Sequence, residues 1–323
     1  MKKIIFIVAP FLLSLAMFSQ ASAELRGEIR ISPEYPKAYE SVTATLRSYS
    51  FDVDLAMITW KVDNKVFASG FGLKSIKINA KGTGEVTQIE ASIVLPNNDS
   101  LVVFYNLSPQ TVDLVWEAVE SYVPPFYEGK ALPGEGSLVR IVALPSFVEG
   151  GRLVNPALVA YSWKINDSNL SSLSGTGRQT LTTRLDYLSE ENVVEVIART
   201  AGGNTARSRI TIIPSPIIPI FYRYDDILGV DHANAINKRL ETTKEVSLSV
   251  EPFYVSKLSG SSSGDEYFWT LDGLPIKTNS PTHVVLRPKE NSYGIKRLAV
   301  SIENIKRRLQ QASASLEIVF DSR

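Results

Sequence analysis

The chain has 323 residues, with 34 Lys and Arg balanced by 34 Asp and Glu, 2 His and no Cys. A zero formal charge argues against a nucleic-acid surface or a generally basic membrane-binding surface. The lack of Cys excludes disulfides, thiolate metal sites and a lipid-modified N-terminal cysteine, so any core must be held by burial alone.

Met1 to Ala23 reads as a secretory signal peptide of bacterial type. Lys2 and Lys3 form a basic start, Ile4 to Phe18 is apolar, and Ala21-Ser22-Ala23 supplies the small residues of a cleavage site. The apolar run is shorter than the ~20 residues that span a bilayer. The expected mature chain begins at Glu24, is slightly acidic, and carries no further span or C-terminal anchor.

The rest reads as strands and turns. In residues 24–109 the expected strands are Gly27 to Ser32, Ser41 to Tyr49, Ala56 to Val62, Lys65 to Ser69, Lys74 to Ile78, Val86 to Leu95 and Ser100 to Leu107. Ser41 to Tyr49 alternates cleanly, as a half-buried strand does. Residues 110–214 begin with Val112 to Trp116. The Pro-rich stretch Tyr122 to Tyr127 follows, and prolines keep it extended. Ser137 to Leu144, Val159 to Ile165, Gln179 to Leu185, Asn192 to Thr200 and Thr205 to Ile213 complete that unit. Residues 215–323 open on Ile217 to Tyr224, where Pro219-Ile220-Phe221-Tyr222 echoes Pro124-Pro125-Phe126-Tyr127. Aligning these two segments predicts a short insertion near 225–241, with a helix over Ala233 to Leu240. Glu245 to Val255, Tyr267 to Leu271, His283 to Arg287, Ile295 to Ile302 and Ala312 to Phe320 are the remaining strands.

One pattern recurs three times: Trp60-Lys61-Val62-Asp63-Asn64, Trp163-Lys164-Ile165-Asn166-Asp167 and Trp269-Thr270-Leu271-Asp272-Gly273. The copies are about 100 residues apart, the length of one immunoglobulin-sized sandwich. Each reads as a strand with Trp turned into the core, then a hairpin, then the next strand. The expected fold is therefore all-β: three tandem immunoglobulin-like β-sandwiches after the signal peptide. The units are 24–109, 110–214 and 215–323, joined by short Pro-containing links that favour a semi-rigid rod.

The Trp-x-Val/Ile/Leu-Asp/Asn pattern resembles bacterial immunoglobulin-like and PKD-like repeats of exported proteins. That resemblance implies extracytoplasmic placement and a role as spacer, adhesin part or assembly subunit, without catalysis. Envelope or surface proteins are the implied partners. A carbohydrate-binding module chain with polysaccharide as ligand is the alternative, and a metal-dependent hydrolase on a β-sandwich comes third.

No chemistry-bearing motif competes with this reading. There is no Gly-x-Ser-x-Gly elbow and no phosphate-binding Gly loop followed by Lys-Ser/Thr. The Ser259 to Gly264 run reads as a flexible loop, and Lys306-Arg307-Arg308 as a solvated turn. No cofactor is expected. Asp225, Asp226 and Asp231, beside His232, form a weak calcium candidate, but their spacing does not fit an EF-hand loop. His283 reads as a strand residue. Trp60, Trp163 and Trp269 are expected in the cores. Trp116, Tyr122, Phe126 and Tyr127 are expected at the junction of the first two units, as a staple or as a surface for peptide or glycan.

Overall fold

The computed structural model describes residues 25–257, 264–288, 294–305 and 310–321. The expected signal peptide, most of the Ser259 to Gly264 loop and the Lys306 to Arg308 run lie outside them. The chain is all-β and forms three tandem immunoglobulin-like sandwiches. Among the described residues no helix is long and apolar enough to cross a membrane. Two compact units are present. One contains the described residues to Ala80 with Val86–Leu107, and the other contains Lys81–Glu85 and the chain from Ser108 onward.

The first unit is one sandwich. Gly27–Ser32, Ser41–Ser48 and Ser75–Asn79 make one sheet. Lys65–Phe71, Met57–Val62, Thr87–Val94 and Ser100–Leu107 make the other, in that order. Alternation along Ser41–Ser48 turns Val42, Ala44 and Leu46 inward onto Trp60, Ile58 and Ile89.

The second unit holds two sandwiches, each with its own core. In one, Thr180–Arg184, Leu138–Ser146 and Thr111–Ala118 face a sheet of Ala160–Ile165, Asn192–Arg199 and Thr205–Ile212. In the other, Gly229–Ile236, Ile218–Asp225, Val246–Phe253 and His283–Leu286 form one sheet. Arg239–Thr242, Gln311–Phe320, Gly294–Asn304 and Asp265–Leu271 form the other.

The recurring motif builds the same two devices in each sandwich. Trp60, Trp163 and Trp269 are 0%, 1% and 2% exposed. Each indole N–H donates across the core to a carbonyl oxygen: Trp60 to Leu73 at 2.7 Å, Trp163 to Arg178 at 2.8 Å and Trp269 to Pro281 at 2.8 Å. All three acceptors lie just ahead of a strand in the opposite sheet: Ser75–Asn79, Thr180–Arg184 and His283–Leu286 respectively. The buried ring thus ties the two sheets together and keeps its polar atom satisfied.

The turn after each Trp strand is left-handed at both central residues. The φ pairs are 49° and 63° at Asp63-Asn64, 46° and 63° at Asn166-Asp167, and 51° and 80° at Asp272-Gly273. Such primed turns suit the twist of a hairpin and favour Asn, Asp and Gly. The first turn side chain also reaches the strand alongside. Asp63 accepts from the Gln88 N–H at 3.1 Å, Asn166 from Val193 at 2.8 Å and Asp272 from Arg297 at 2.9 Å. Their own N–H groups donate back to the carbonyls of the same three residues.

Two expectations fail. Ala233 to Leu240 forms no helix: Gly229–Ile236 is an edge strand antiparallel to Ile218–Asp225, and Arg239–Thr242 runs parallel to Gln311–Phe320. Asp231, Asn234 and Asn237 are weak helix formers, and extended chain carries buried Leu240 across to the second sheet. The Pro-x-Phe-Tyr echo does not mark equivalent strands either. Phe221 is buried within a strand, whereas Pro124 to Tyr127 forms a turn beyond Thr111–Ala118. The stretch from Thr111–Ala118 to Leu138–Ser146 and the stretch from Ile218–Asp225 to Val246–Phe253, 119–137 and 226–245, are of similar length. The two sandwiches use them differently, so no insertion is present there.

Candidate functional site

Connection 119–137 is an irregular segment bonded through both backbone and side chains to distant parts of the chain. Thr111–Ala118 runs the length of its sandwich and delivers the segment to the far end. It meets the third sandwich, and the junction it forms joins the second sandwich to the third. The expected junction with the first is corrected on this point. The cause is pairing: the backbone and side chains of 120–127 bond to residues 251–257, which belong to the third sandwich.

Main-chain pairing starts the contact. Ser121 bridges Ser256, Tyr122 donates to the Val255 carbonyl at 2.9 Å, and Tyr254 donates to the Tyr122 carbonyl at 2.7 Å. Lys257 donates to the Glu120 carbonyl at 2.8 Å. The Glu120 carboxylate is held by both terminal nitrogens of Arg184, at 3.0 Å each. This fork–fork pair fixes the start of the segment on the second sandwich.

Aromatic side chains pack around that ladder. Tyr222, Phe253 and Tyr254 are buried, with Val123, Leu132, Ile220 and Val230 against them. Tyr127 meets Phe253 edge-on at 5.4 Å, and its hydroxyl lies 2.9 Å from that of Tyr254. The Tyr122 hydroxyl donates to Glu251, and the Lys257 ammonium sits 3.0 Å from the Tyr122 ring centroid. Burial pushes the Tyr122 phenol well above its usual range, and the Glu251 carboxylate pushes it further. Burial, then the Tyr127 hydroxyl, raises Tyr254 to about 12. Burial pulls Lys257 down, and Glu251 and Asp265 partly restore it.

A second contact is polar and buried. Ser137 and Ser256 join hydroxyls at 2.7 Å. The Gln310 amide donates to Ser256 Oγ at 2.9 Å and to the Glu135 carbonyl at 2.7 Å, and accepts from the Ser256 N–H at 2.9 Å. Ser137, Ser256 and Gln310 are all buried. Satisfied networks of this kind specify one geometry, because any other leaves buried polar groups unpaired.

The four aromatics expected together are split by the fold. Tyr122 and Tyr127 belong to the junction. Trp116 packs on the edge of the second core, with the Lys130 ammonium 3.2 Å from its ring centroid. Phe126 points to solvent at 94% exposure from a left-handed backbone, φ 64°. Tyr222, Phe253, Tyr254, Ser137, Ser256 and Gln310 join the site from outside the expected set. Only Tyr222 had a signal, the Phe-Tyr pair after Pro. The others gain their role from contacts distant in sequence.

Asp225, Asp226 and Asp231 line one open recess, and two of them are spent on local donors. Asp225 Oδ1 accepts from the N–H groups of Ile227 and Leu228 at 2.8 and 2.9 Å, which holds its carboxyl below the usual range. Asp231 accepts from Ala233 at 3.2 Å and from the Asn234 amide at 2.9 Å. Among the described residues no three His, Cys, Asp or Glu side chains are grouped to hold a metal. His232 lies edge-on to Tyr222 with Nε2 3.6 Å from Glu251, and His283 stacks on Tyr224 at 4.4 Å.

No family model matches the chain, and no curated protein matches it. Several solved structures are similar to it. The three N-terminal domains of the bacteriophage RB49 highly immunogenic outer capsid protein share 11% identity, with 92% of this chain and 99% of that one covered, at a TM-score of 0.26. The central fibronectin-III array of RIM-binding protein shares 12%, with 93% and 98% covered, at 0.29. A Bacteroides ovatus protein, SGBP-B, in complex with a mixed-linkage heptasaccharide shares 10%, with 93% and 71% covered, at 0.21. At these identities and TM-scores the likeness carries no role over to this chain.

Proposed function

We propose that this chain is a non-catalytic, extracytoplasmic spacer of the cell envelope or surface, of the immunoglobulin-like repeat type found in exported bacterial proteins. Its job is to hold protein partners at a set geometry. The observation that carries this reading is the junction of the second and third sandwiches. A spacer needs joints that resist bending, and this joint combines a main-chain ladder, an aromatic cluster and a buried Ser-Ser-Gln network. The recurring Trp motif supports the reading as well, since its residues are consumed in tying sheets and turns. The signal-like sequence of Met1 to Ala23 supports export.

Cross-linking on intact cells, with mass spectrometry of the joined species, tests the proposal. Reproducible links to one or two envelope proteins are expected. Protein found free of any protein partner would sink it.

One observation favours a second reading, contact with polysaccharide. Phe126 stands beside an open cleft lined by Tyr127, Tyr222, His232 and Phe253, and an exposed ring with strained backbone suits stacking on a sugar face. Retention on immobilised envelope polysaccharide, lost in Phe126→Ala, would move weight to it.

A further inference from the structure

Ile227 and Leu228 form the tip of the hairpin between Ile218–Asp225 and Gly229–Ile236, and are 92% and 87% exposed. Two adjacent aliphatic side chains this exposed offer apolar surface for a partner to bury. The Asp225 carboxylate grips the N–H groups of both residues, and Gly229 closes the turn at φ 80°. The tip is therefore preorganised, with Asp226 and Asp231 exposed beside it.

An apolar recess of about 670 Å³ lies at the other end of the same hairpin. Buried Phe221 lines it with Ile218, Ile220 and Ile236, and Lys238 and Arg239 stand exposed at its rim, Arg239 in an exposed ion pair with Glu241 at 3.1 Å. Its size falls within the ~300–1,000 Å³ of ordinary ligand sites. Tip and recess are complementary twice over: aliphatic against aliphatic, and acid against base. An anionic membrane surface would repel the acids that flank the tip.

We infer that this chain associates head to tail with a second copy of itself. The Ile227–Leu228 tip of one molecule fills the Ile218, Ile220 and Ile236 recess of the next. Asp226 and Asp231 then face Lys238 and Arg239. At a strand rise of ~3.3 Å per residue, tip and recess are roughly 20 Å apart. The two patches differ, so the contact is heterologous, and it builds open chains or rings instead of a two-fold pair. This inference stands independently of the envelope reading.

Sedimentation of the full chain over a concentration series tests it. Ile227→Asp with Leu228→Asp removes the tip, and Lys238→Glu with Arg239→Glu reverses the rim. All four positions are exposed, and unchanged circular dichroism and thermal transitions verify folding. The wild type is expected to grow in mass with concentration, less so at high salt. Either variant alone is expected to associate at least tenfold more weakly. Mixed, the two variants should form one-to-one pairs that grow no further, since one good tip meets one good recess. A wild type that stays monomeric throughout overturns the inference, including one that instead binds lipid vesicles through the tip. So do variants that associate like the wild type.

Discussion

The side-chain amide of Gln310, in the third sandwich, donates to the Glu135 carbonyl oxygen of the second at 2.7 Å. The same amide satisfies Ser256 at both its N–H and its hydroxyl. One buried side chain thus closes the polar half of the joint between two sandwiches.

Gln310→Ala leaves the Ser256 N–H and the Glu135 carbonyl without this partner. An unsatisfied buried polar group costs about 1–3 kcal/mol, so the variant should unfold at lower denaturant concentration by a corresponding amount. Urea titration followed by tryptophan fluorescence measures it. An unchanged midpoint would mean that the network is ornamental.

The three tryptophan devices make a matched set. Trp→Phe at position 60, 163 or 269 removes the N–H that binds a carbonyl across the core and leaves a cavity. Each substitution should cost about 2–4 kcal/mol. Differential scanning calorimetry on the three variants measures this directly. Near-equal losses are expected, because the acceptor distances agree within 2.7–2.8 Å.

Asp167 holds φ 63° where the third sandwich has Gly273 at φ 80°. Glycine adopts the left-handed region without a Cβ penalty. Asp167→Gly should stabilise its sandwich by up to about 1 kcal/mol. The reverse change, Gly273→Asp, should destabilise by a similar amount in the same unfolding assay.

Alkaline pH should loosen the junction first. The phenols of Tyr122 and Tyr254 have folded values above the ~10 of an unfolded chain. The folded state keeps these protons longer, so their contribution is full below about pH 10 and is lost as pH rises through the folded values. Lys257, pulled down by burial, acts in the opposite sense over its own titration. Unfolding free energy between pH 9 and about 12 should therefore fall, and Tyr122→Phe should flatten that fall. A wild-type curve that is level over this range would contradict the assignment.

The parts of the fold legible in the sequence were those set by local pattern. Alternation placed Ser41–Ser48, and the Trp-turn motif placed three hairpins, because strand period and primed turns are written within a few residues. The helix expected after Ala233 failed because tertiary pairing with Ile218–Asp225 overrode weak local preference. At the junction, Tyr122 and Tyr127 stood out as aromatics in a Pro-rich stretch. Their partners Glu251, Phe253 and Tyr254 are more than a hundred residues away and share no local mark. The segment meets the third sandwich through main-chain pairing of 120–122 with 254–257, which no short motif records.

The claim at the centre of this account is that the second and third sandwiches are held at one angle. The chain contains no cysteine, so Arg209→Cys with Val285→Cys offers two exposed labelling sites, one on each sandwich. Pulsed dipolar spectroscopy between spin labels there measures the distribution of their separation. A single narrow distribution, broadened by Gln310→Ala combined with Tyr122→Ala, is the predicted result. A broad distribution in the otherwise unaltered chain would contradict a fixed joint, and with it the spacer.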